Sequence, residues 1–353
     1  MSDTPRLLSL ATAVPPYRLR QIDVAARAIR LFDGRRSQID RLLPVFDNAG
    51  ISIRYSCVPI EWYERDHGWK EKNRLYVENA VELLERAARS CLERAGCDFA
   101  EIDAIVTVST TGIATPGLDA RLMARLPFRR DIVRLPIFGL GCAGGVLGLA
   151  RAAALAKALG GARVLFLVVE LCALTFRKVD QSNSNIIAAA LFGDGAAAAL
   201  VGPANGAAEG APSIAASDEY TWPDSLDVMG WQVEDDGLGV LFSRDIPSLV
   251  RTDFRAAVDR FLVKCKRRLD EFDRFVCHPG GAKVVAALES AFALPQGALN
   301  PARDVLHDYG NMSAATVMFV LERMLDRSKS RYLMSALGPG FTAAFMMLES
   351  GLP

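Results

Sequence analysis

The chain has 353 residues, more than a single hydrophobic core usually organises, and 51% of them are hydrophobic against 23% charged, which excludes a disordered polymer. Lys plus Arg and Asp plus Glu each total 41, so no overall field draws the protein to nucleic acid or to an anionic membrane. The start MSDTPRLLSLATAVPP lacks the long apolar core of a secretory signal, and Arg134, Arg151, Lys157 and Arg163 interrupt the apolar run 132–171. A soluble cytoplasmic protein without membrane insertion is expected.

In chain order, 75–95 reads as an amphipathic helix and IDAIVTVS at 102–109 as a buried strand rich in β-branched residues. GCAGGVLGLARAAALAKALGG then gives a turn and a small-residue helix, followed by the strand ARVLFLVVEL. The same order returns later: a helix over 253–269, the short strand FDRFVCHPGG at 272–281, then GNMSAATVMFVLERMLDRSKS leading into RYLMSALG. This is read as an internal duplication. GPANGAAEGAPS at 202–213 has linker composition, so the halves are expected to be 1–205 and 206–353. Alternating strands and helices with continuous apolar strands predict an α/β fold with mixed, largely parallel sheets covered by helices.

The seven cysteines, Cys57, Cys91, Cys97, Cys142, Cys172, Cys265 and Cys277, are odd in number and lack CxxC spacing, so free thiols are expected. The three histidines, His67, His278 and His307, form no HExxH or Cys/His cluster, and no metal is expected.

Cys142 stands in FGLGCAGGVLGLARA, where glycines let the backbone turn sharply as a helix begins. Free N–H groups at a helix start favour a thiolate and the oxyanion of a thioester, although a structural cysteine at a close helix crossing fits the local sequence equally. His278 ends its strand in VCHPGG, so its imidazole should point into the cleft at the strand ends, while Cys277 faces the other way into the core. Asn311 in YGNMSAAT precedes a helix and reads either as an N-cap or as an amide donor to a developing oxyanion. A Cys, a His and an Asn from three distant segments suit acyl transfer through a thioester.

GCAGG, FGDGAAA, VCHPGG, YGNMSAAT and LGPG, together with STTGIATPGLDARL at 109–122 and GLGVLFSRDIP at 237–247, resemble type III polyketide synthases, the chalcone synthase family, nearly end to end and closer to bacterial than plant members. The resemblance implies a thiolase-like fold in which two duplicated αβ halves form a five-layer αβαβα core, and a homodimer. It implies that Cys142 carries an acyl group taken from an acyl-CoA starter, that His278 helps ionise Cys142 and polarises the malonyl-CoA thioester, and that Asn311 shares the enolate oxyanion. Iterative decarboxylative condensation would be followed by cyclisation to a pyrone, resorcinol or related polyketide, with a fatty acyl starter expected. No cofactor beyond the CoA thioester substrates is implied.

Phe192 and Phe242 match the family's gatekeeper phenylalanines, though from residue type alone they read as core aromatics. Thr110, Thr115, Val233 and Ser313 match positions lining the family's elongation cavity, and Gly338, Pro339 and Gly340 the loop that shapes it. Thr115 replaces a methionine of plant enzymes and Val233 a glycine, so pocket shape does not carry over. Arg41 matches one cation of the CoA-binding segment, whereas Pro44 and Asn48 replace others; Arg35, Arg36 and Arg54 are nearby candidates. The rival readings are a β-ketoacyl-carrier-protein synthase III-type condensing enzyme with the same triad chemistry, a cysteine hydrolase, and a catalytically dead binding protein of the same fold.

Overall fold

The computed structural model of the protein describes residues 4–31, 44–205, 208–243, 245–326 and 328–351. In chain order its strands are β1 (Arg6–Ala13), β2 (Tyr17–Arg20), β3 (Ile53–Ser56), β4 (Ala104–Val108), β5 (Val133–Ile137), β6 (Val164–Leu171), β7 (Asp194–Gly202), β8 (Ser213–Thr221), β9 (Met229–Glu234), β10 (Gly237–Phe242), β11 (Arg274–Cys277), β12 (Ser330–Gly338) and β13 (Thr342–Ser350). Its helices are α1 (Gln21–Leu31), α2 (Pro44–Asn48), α3 (Trp69–Ala95), α4 (Leu118–Met123), α5 (Gly144–Ala158), α6 (Asn183–Leu191), α7 (Ile246–Thr252), α8 (Phe254–Cys265), α9 (Ala282–Ala291), α10 (Asn300–Tyr309) and α11 (Thr316–Met324).

The sheet order β11-β12-β13-β8-β1-β7-β6-β4-β5 consists of two arrays that meet at one residue pair, Arg6 opposite Ser213. In the first array β4 runs parallel to β6, and β7 is antiparallel to both β6 and β1. In the second, β11 runs parallel to β12, and β13 is antiparallel to both β12 and β8. The expected duplication is thus present strand by strand. Helix α5 leads into β6 as α11 leads into β12, so equivalent segments start the helices that follow Cys142 and Asn311.

Side-chain alternation explains the layering. On β6, Val164, Phe166 and Val168 point into the core shared with α5, while Leu165, Leu167 and Val169 point into a second core with α3. Both faces being covered, the strand reads as an unbroken apolar run. Helix α5 packs on β4, β6 and β7 of one array and on β8, β12 and β13 of the other, beside α11. Helix α3 closes the outer face of the first array and α8 that of the second, giving the order αβαβα. Phe261 stacks on Phe345 at 5.5 Å to seal the α8 side.

The approach of the two central helices is set by small residues. A Cβ added at Gly145 would lie 2.3 Å from the Ala314 carbonyl oxygen, and one at Gly148 would lie 2.4 Å from the Phe166 ring. Gly145 is therefore what lets the duplicated halves close on each other, and Gly148 what lets α5 lie close on its own sheet.

Candidate active site

Cys142 lies in a single 3-10 turn, Gly141–Ala143, at the threshold of α5. Gly141 adopts φ +46°, and a Cβ there would meet the Pro339 ring at 2.5 Å. Thr110 Oγ1 accepts the Gly141 N–H at 3.1 Å, which holds the turn from the other side. Gly338 packs as closely: its Cβ would lie 2.6 Å from both the Ala143 Cβ and the Leu140 carbonyl oxygen. Gly338 and Pro339 thus form the bed on which the cysteine turn rests, while Gly340, at φ +67°, makes the bend that follows.

Asn311 is 2% exposed and bonded on every side. Its N–H donates to Leu191 O at 2.8 Å and its carbonyl accepts from the Gly193 N–H at 3.0 Å, a short parallel bridge that also ties it to Phe192. Oδ1 accepts the Ser313 N–H at 2.8 Å, and Nδ2 donates to Gly280 O at 3.2 Å, which uses one of its two hydrogens. Ser313 takes φ +46°, an uncommon conformation for a residue with a Cβ, and the Asn311 side chain holds it there. Its hydroxyl lies 3.6 Å from Cys142 Sγ. The asparagine is therefore not an N-cap of α11, which starts at Thr316.

His278 follows β11, anchored by its N–H to Ser335 O at 2.8 Å. It is 4% exposed and neither ring nitrogen has a hydrogen-bond partner. Cys277 is fully buried in the core and sits 3.4 Å from the Ser335 hydroxyl, as the alternation of the strand requires. His278, Cys142 and Asn311 all line one cavity of about 1000 Å³. Most of the remaining wall is apolar, including Leu191, Met229, Ile246, Phe254, Leu288 and Leu337.

Burial sets the protonation states. It pushes the Cys142 thiol up to about 12, against a smaller downward pull from the Ser313 hydroxyl, and pushes His278 down to about 4. Sulfur and imidazole are both neutral in this resting geometry, although Cys142 keeps a partly open face toward the cavity.

Phe192 and Phe242 stand 5.7 Å apart, ring to ring, and Phe192 makes a T-shaped contact with Trp231 at 6.0 Å. Phe242 lines the large cavity, whereas Phe192 is 6% exposed and lines a smaller one of about 60 Å³ shared with Cys172 and Thr175. The pair forms a partition between the two spaces.

Several expected placements differ in the structure. Val233 is 80% exposed on β9 and lines neither of these cavities, because the β9–β10 ribbon turns it outward. Arg54 is no CoA ligand: it is 2% exposed, and its guanidinium caps the end of α6 through the carbonyls of Ala189, Ala190 and Phe192 and the side chain of Gln21. Burial lowers it to about 10. Thr115 is exposed and lies off the wall of the large cavity. Arg35, Arg36 and Arg41 lie outside the described residues.

Sequence reasoning missed Glu170. Its Oε2 accepts the Thr110 N–H at 3.0 Å and the Thr111 hydroxyl at 2.9 Å, Oε1 has no partner, and burial raises it to about 7. A lone acid near the end of the apolar strand VLFLVVEL was the available signal. Among the described residues no group of three His, Cys, Asp or Glu side chains could hold a metal, and no helix is long and apolar enough to cross a membrane.

Helices on both faces of two duplicated arrays, with a cysteine and an asparagine at equivalent helix starts, define a thiolase-like condensing architecture. The family model for the N-terminal domain of chalcone and stilbene synthases matches residues 6–205, and that for the C-terminal domain matches residues 214–351. The chain belongs to the chalcone and stilbene synthase family, the type III polyketide synthases. It is 39% identical to a chalcone synthase-like protein of Bacillus subtilis (strain 168), over 97% of this chain and 98% of that one. It is 36% identical to the 1,3,6,8-tetrahydroxynaphthalene synthase of Streptomyces peucetius, covering 96% and 91%. The crystal structure of the 1,3,6,8-tetrahydroxynaphthalene synthase of Streptomyces coelicolor, a bacterial type III polyketide synthase, superposes with a TM-score of 0.92 at 25% identity, covering 99% of this chain and 100% of that one. The protein is therefore an enzyme, a condensing acyltransferase, and the polyketide synthase reading is favoured over the carrier-protein synthase and hydrolase readings.

Proposed function

We propose that the protein condenses malonyl-CoA iteratively onto an acyl group held on Cys142, with His278 and Asn311 as the assisting pair, and releases a cyclised polyketide. The observation that carries this reading is that all three side chains line one largely apolar cavity of about 1000 Å³. His278 takes the thiol proton as sulfur attacks the starter thioester; the C–S bond to CoA breaks, and CoA leaves as the thiol. The Cys142 thioester remains.

Malonyl-CoA then loses CO2, and the electron pair of the broken C–C bond moves to the thioester oxygen as an enolate. The spare Nδ2 hydrogen of Asn311 and an imidazole N–H of His278 are the donors to that oxygen, each of a kind that contributes on the order of 10²–10³ in rate. The enolate carbon attacks the acyl carbon, the Cys142 C–S bond breaks, and the lengthened chain remains as a CoA thioester. An apolar site strengthens both donors and excludes water from the reactive intermediates.

The apolar wall supports a fatty acyl starter and a pyrone or resorcinol product. Products from malonyl-CoA with a panel of acyl-CoA starters, read by mass spectrometry beside Cys142→Ala, test this. Turnover of aromatic starters alone would exclude the fatty acyl reading.

A homodimer is the proposed assembly. The edge strand β5 exposes Val133 (42%) and Leu135 (37%), and Phe138 just beyond it is 60% exposed, an apolar sheet edge suited to a second copy. Sedimentation at micromolar concentration showing monomer alone would remove it. Seven free cysteines suit a reducing compartment, and the cytoplasm is the proposed location.

A further inference from the structure

The wall of the cavity that holds Cys142 is apolar or uncharged almost throughout. Among the described residues Lys283 is its one charged side chain. Lys283 is exposed, so it stands where the cavity opens to solvent, and no ion pair among the described residues engages it. The residues contributed by α2 and its flank, Pro44, Val45, Asn48 and Ala49, carry no charge.

Its place in the chain is unfavourable for a cation. Lys283 is the second residue of α9, whose N-cap Gly281 offers no side-chain cap, so a cation is carried in the first turn, at the positive end of the helix. An anion bound at the mouth would reverse that disadvantage. Five residues earlier, buried His278 presents two unpartnered ring nitrogens to the same cavity. The segment from His278 to Lys283 therefore offers hydrogen-bonding groups in the depth of the cavity and a cation at its opening. A CoA thioester has the matching order: a neutral thioester at one end, a long pantetheine arm, and phosphates at the other.

We infer that Lys283 is a phosphate-binding residue for the CoA thioesters, holding a CoA phosphate oxygen at the cavity mouth while the thioester reaches His278 and Asn311. This inference rests on the CoA-thioester reading above. Lys283 is a binding and specificity residue and takes no part in the bond changes. It favours substrates that carry phosphates over the same acyl group on a shorter, uncharged thiol.

The test compares the wild-type protein with Lys283→Ala and Lys283→Glu, using malonyl-CoA and malonyl-N-acetylcysteamine, which has the same thioester without phosphates. The ratio of the two KM values should rise about three- to fivefold in Lys283→Ala, as for one partly exposed ionic contact, and further in Lys283→Glu. The change should shrink as salt is raised. An unchanged ratio, or equal shifts for both substrates, overturns the assignment. Calorimetric titration with free CoA reads the same contact without turnover: weaker binding by Lys283→Ala supports it and unchanged binding overturns it. A wild-type protein that binds CoA but makes no polyketide would instead overturn the proposed reaction.

Discussion

Gly145 and Ala314 touch at the crossing of the two halves: a Cβ on Gly145 would lie 2.3 Å from the Ala314 carbonyl oxygen and 2.5 Å from Val317 Cγ1. Cys142 is three residues before the first of these, and Asn311 three before the second. The spacing between Cys142 and Asn311 is thus set by a backbone contact that tolerates no side chain. Gly145→Ala should separate the two turns, lowering stability by about 1–3 kcal/mol and reducing condensation more than substrate binding. Denaturant unfolding and steady-state kinetics check this; a variant as stable and active as wild type would contradict the crossing.

Removing the Asn311 side chain has two effects with different readouts. In Asn311→Ala the reaction loses an oxyanion donor, and malonyl-CoA decarboxylation should fall about 10²–10³-fold. The Ser313 N–H, now bonded at 2.8 Å, loses its acceptor, with a stability cost of about 1–3 kcal/mol. Decarboxylation at the wild-type rate would remove Asn311 from the mechanism.

His278 makes stability depend on pH with a definite sign. Burial lowers it from 6.5 to about 4, so the unfolded chain binds the proton first. The stabilisation is present above pH 6.5 and is lost as pH falls toward 4, amounting to about 3 kcal/mol at 1.36 kcal/mol per unit. His278→Gln should therefore show a flatter loss over that window than wild type. Parallel curves from denaturant titrations at pH 7, 6, 5 and 4 would mean that folding does not lower the pKa of the ring.

Cys142 requires the opposite sign. Its thiol is raised from 9.0 to about 12 by burial, so alkylation by iodoacetamide should keep rising with pH above 8 in the free protein. A plateau below pH 7 would reveal a preformed thiolate–imidazolium pair. Cys142→Ala should abolish the acyl-enzyme mass shift and reduce product formation by at least about a thousandfold.

The two phenylalanines should separate by effect. Phe192, 6% exposed and carried on the backbone that binds Asn311, is a stability residue: Phe192→Ala should cost about 3–5 kcal/mol. Phe242 is half-buried on the cavity wall, so Phe242→Ala should cost less stability and change the product size distribution. Equal melting temperatures for the two variants would argue against this division.

Much of this arrangement could be read from residue order. The repeat of helix, strand, small-residue helix and strand is a matter of periodicity, which burial on both sheet faces imposes on the sequence, and it correctly placed Cys142 and Asn311 at equivalent helix starts. The orientation of Cys277 and His278 likewise followed from strand alternation. Residue type alone could not choose between an N-cap and an oxyanion donor for Asn311, since both uses favour the same amide. In the fold Oδ1 is spent on the strained Ser313 backbone and one Nδ2 hydrogen stays free, which excludes the N-cap of α11 and supports the donor role proposed above.

Arg54 and Val233 show the limit from the other side. A sequence records charge and size but not which space a side chain enters, so an arginine near the expected CoA segment could not be distinguished from one that caps α6 from within. Glu170 and Lys283 carry no motif of their own. Glu170 gains its setting only when Thr110, 60 residues away, bonds to it, and Lys283 only when Cys142, 141 residues away, lines the same cavity, because desolvation and the direction of a cavity mouth are properties of packed elements and not of local sequence.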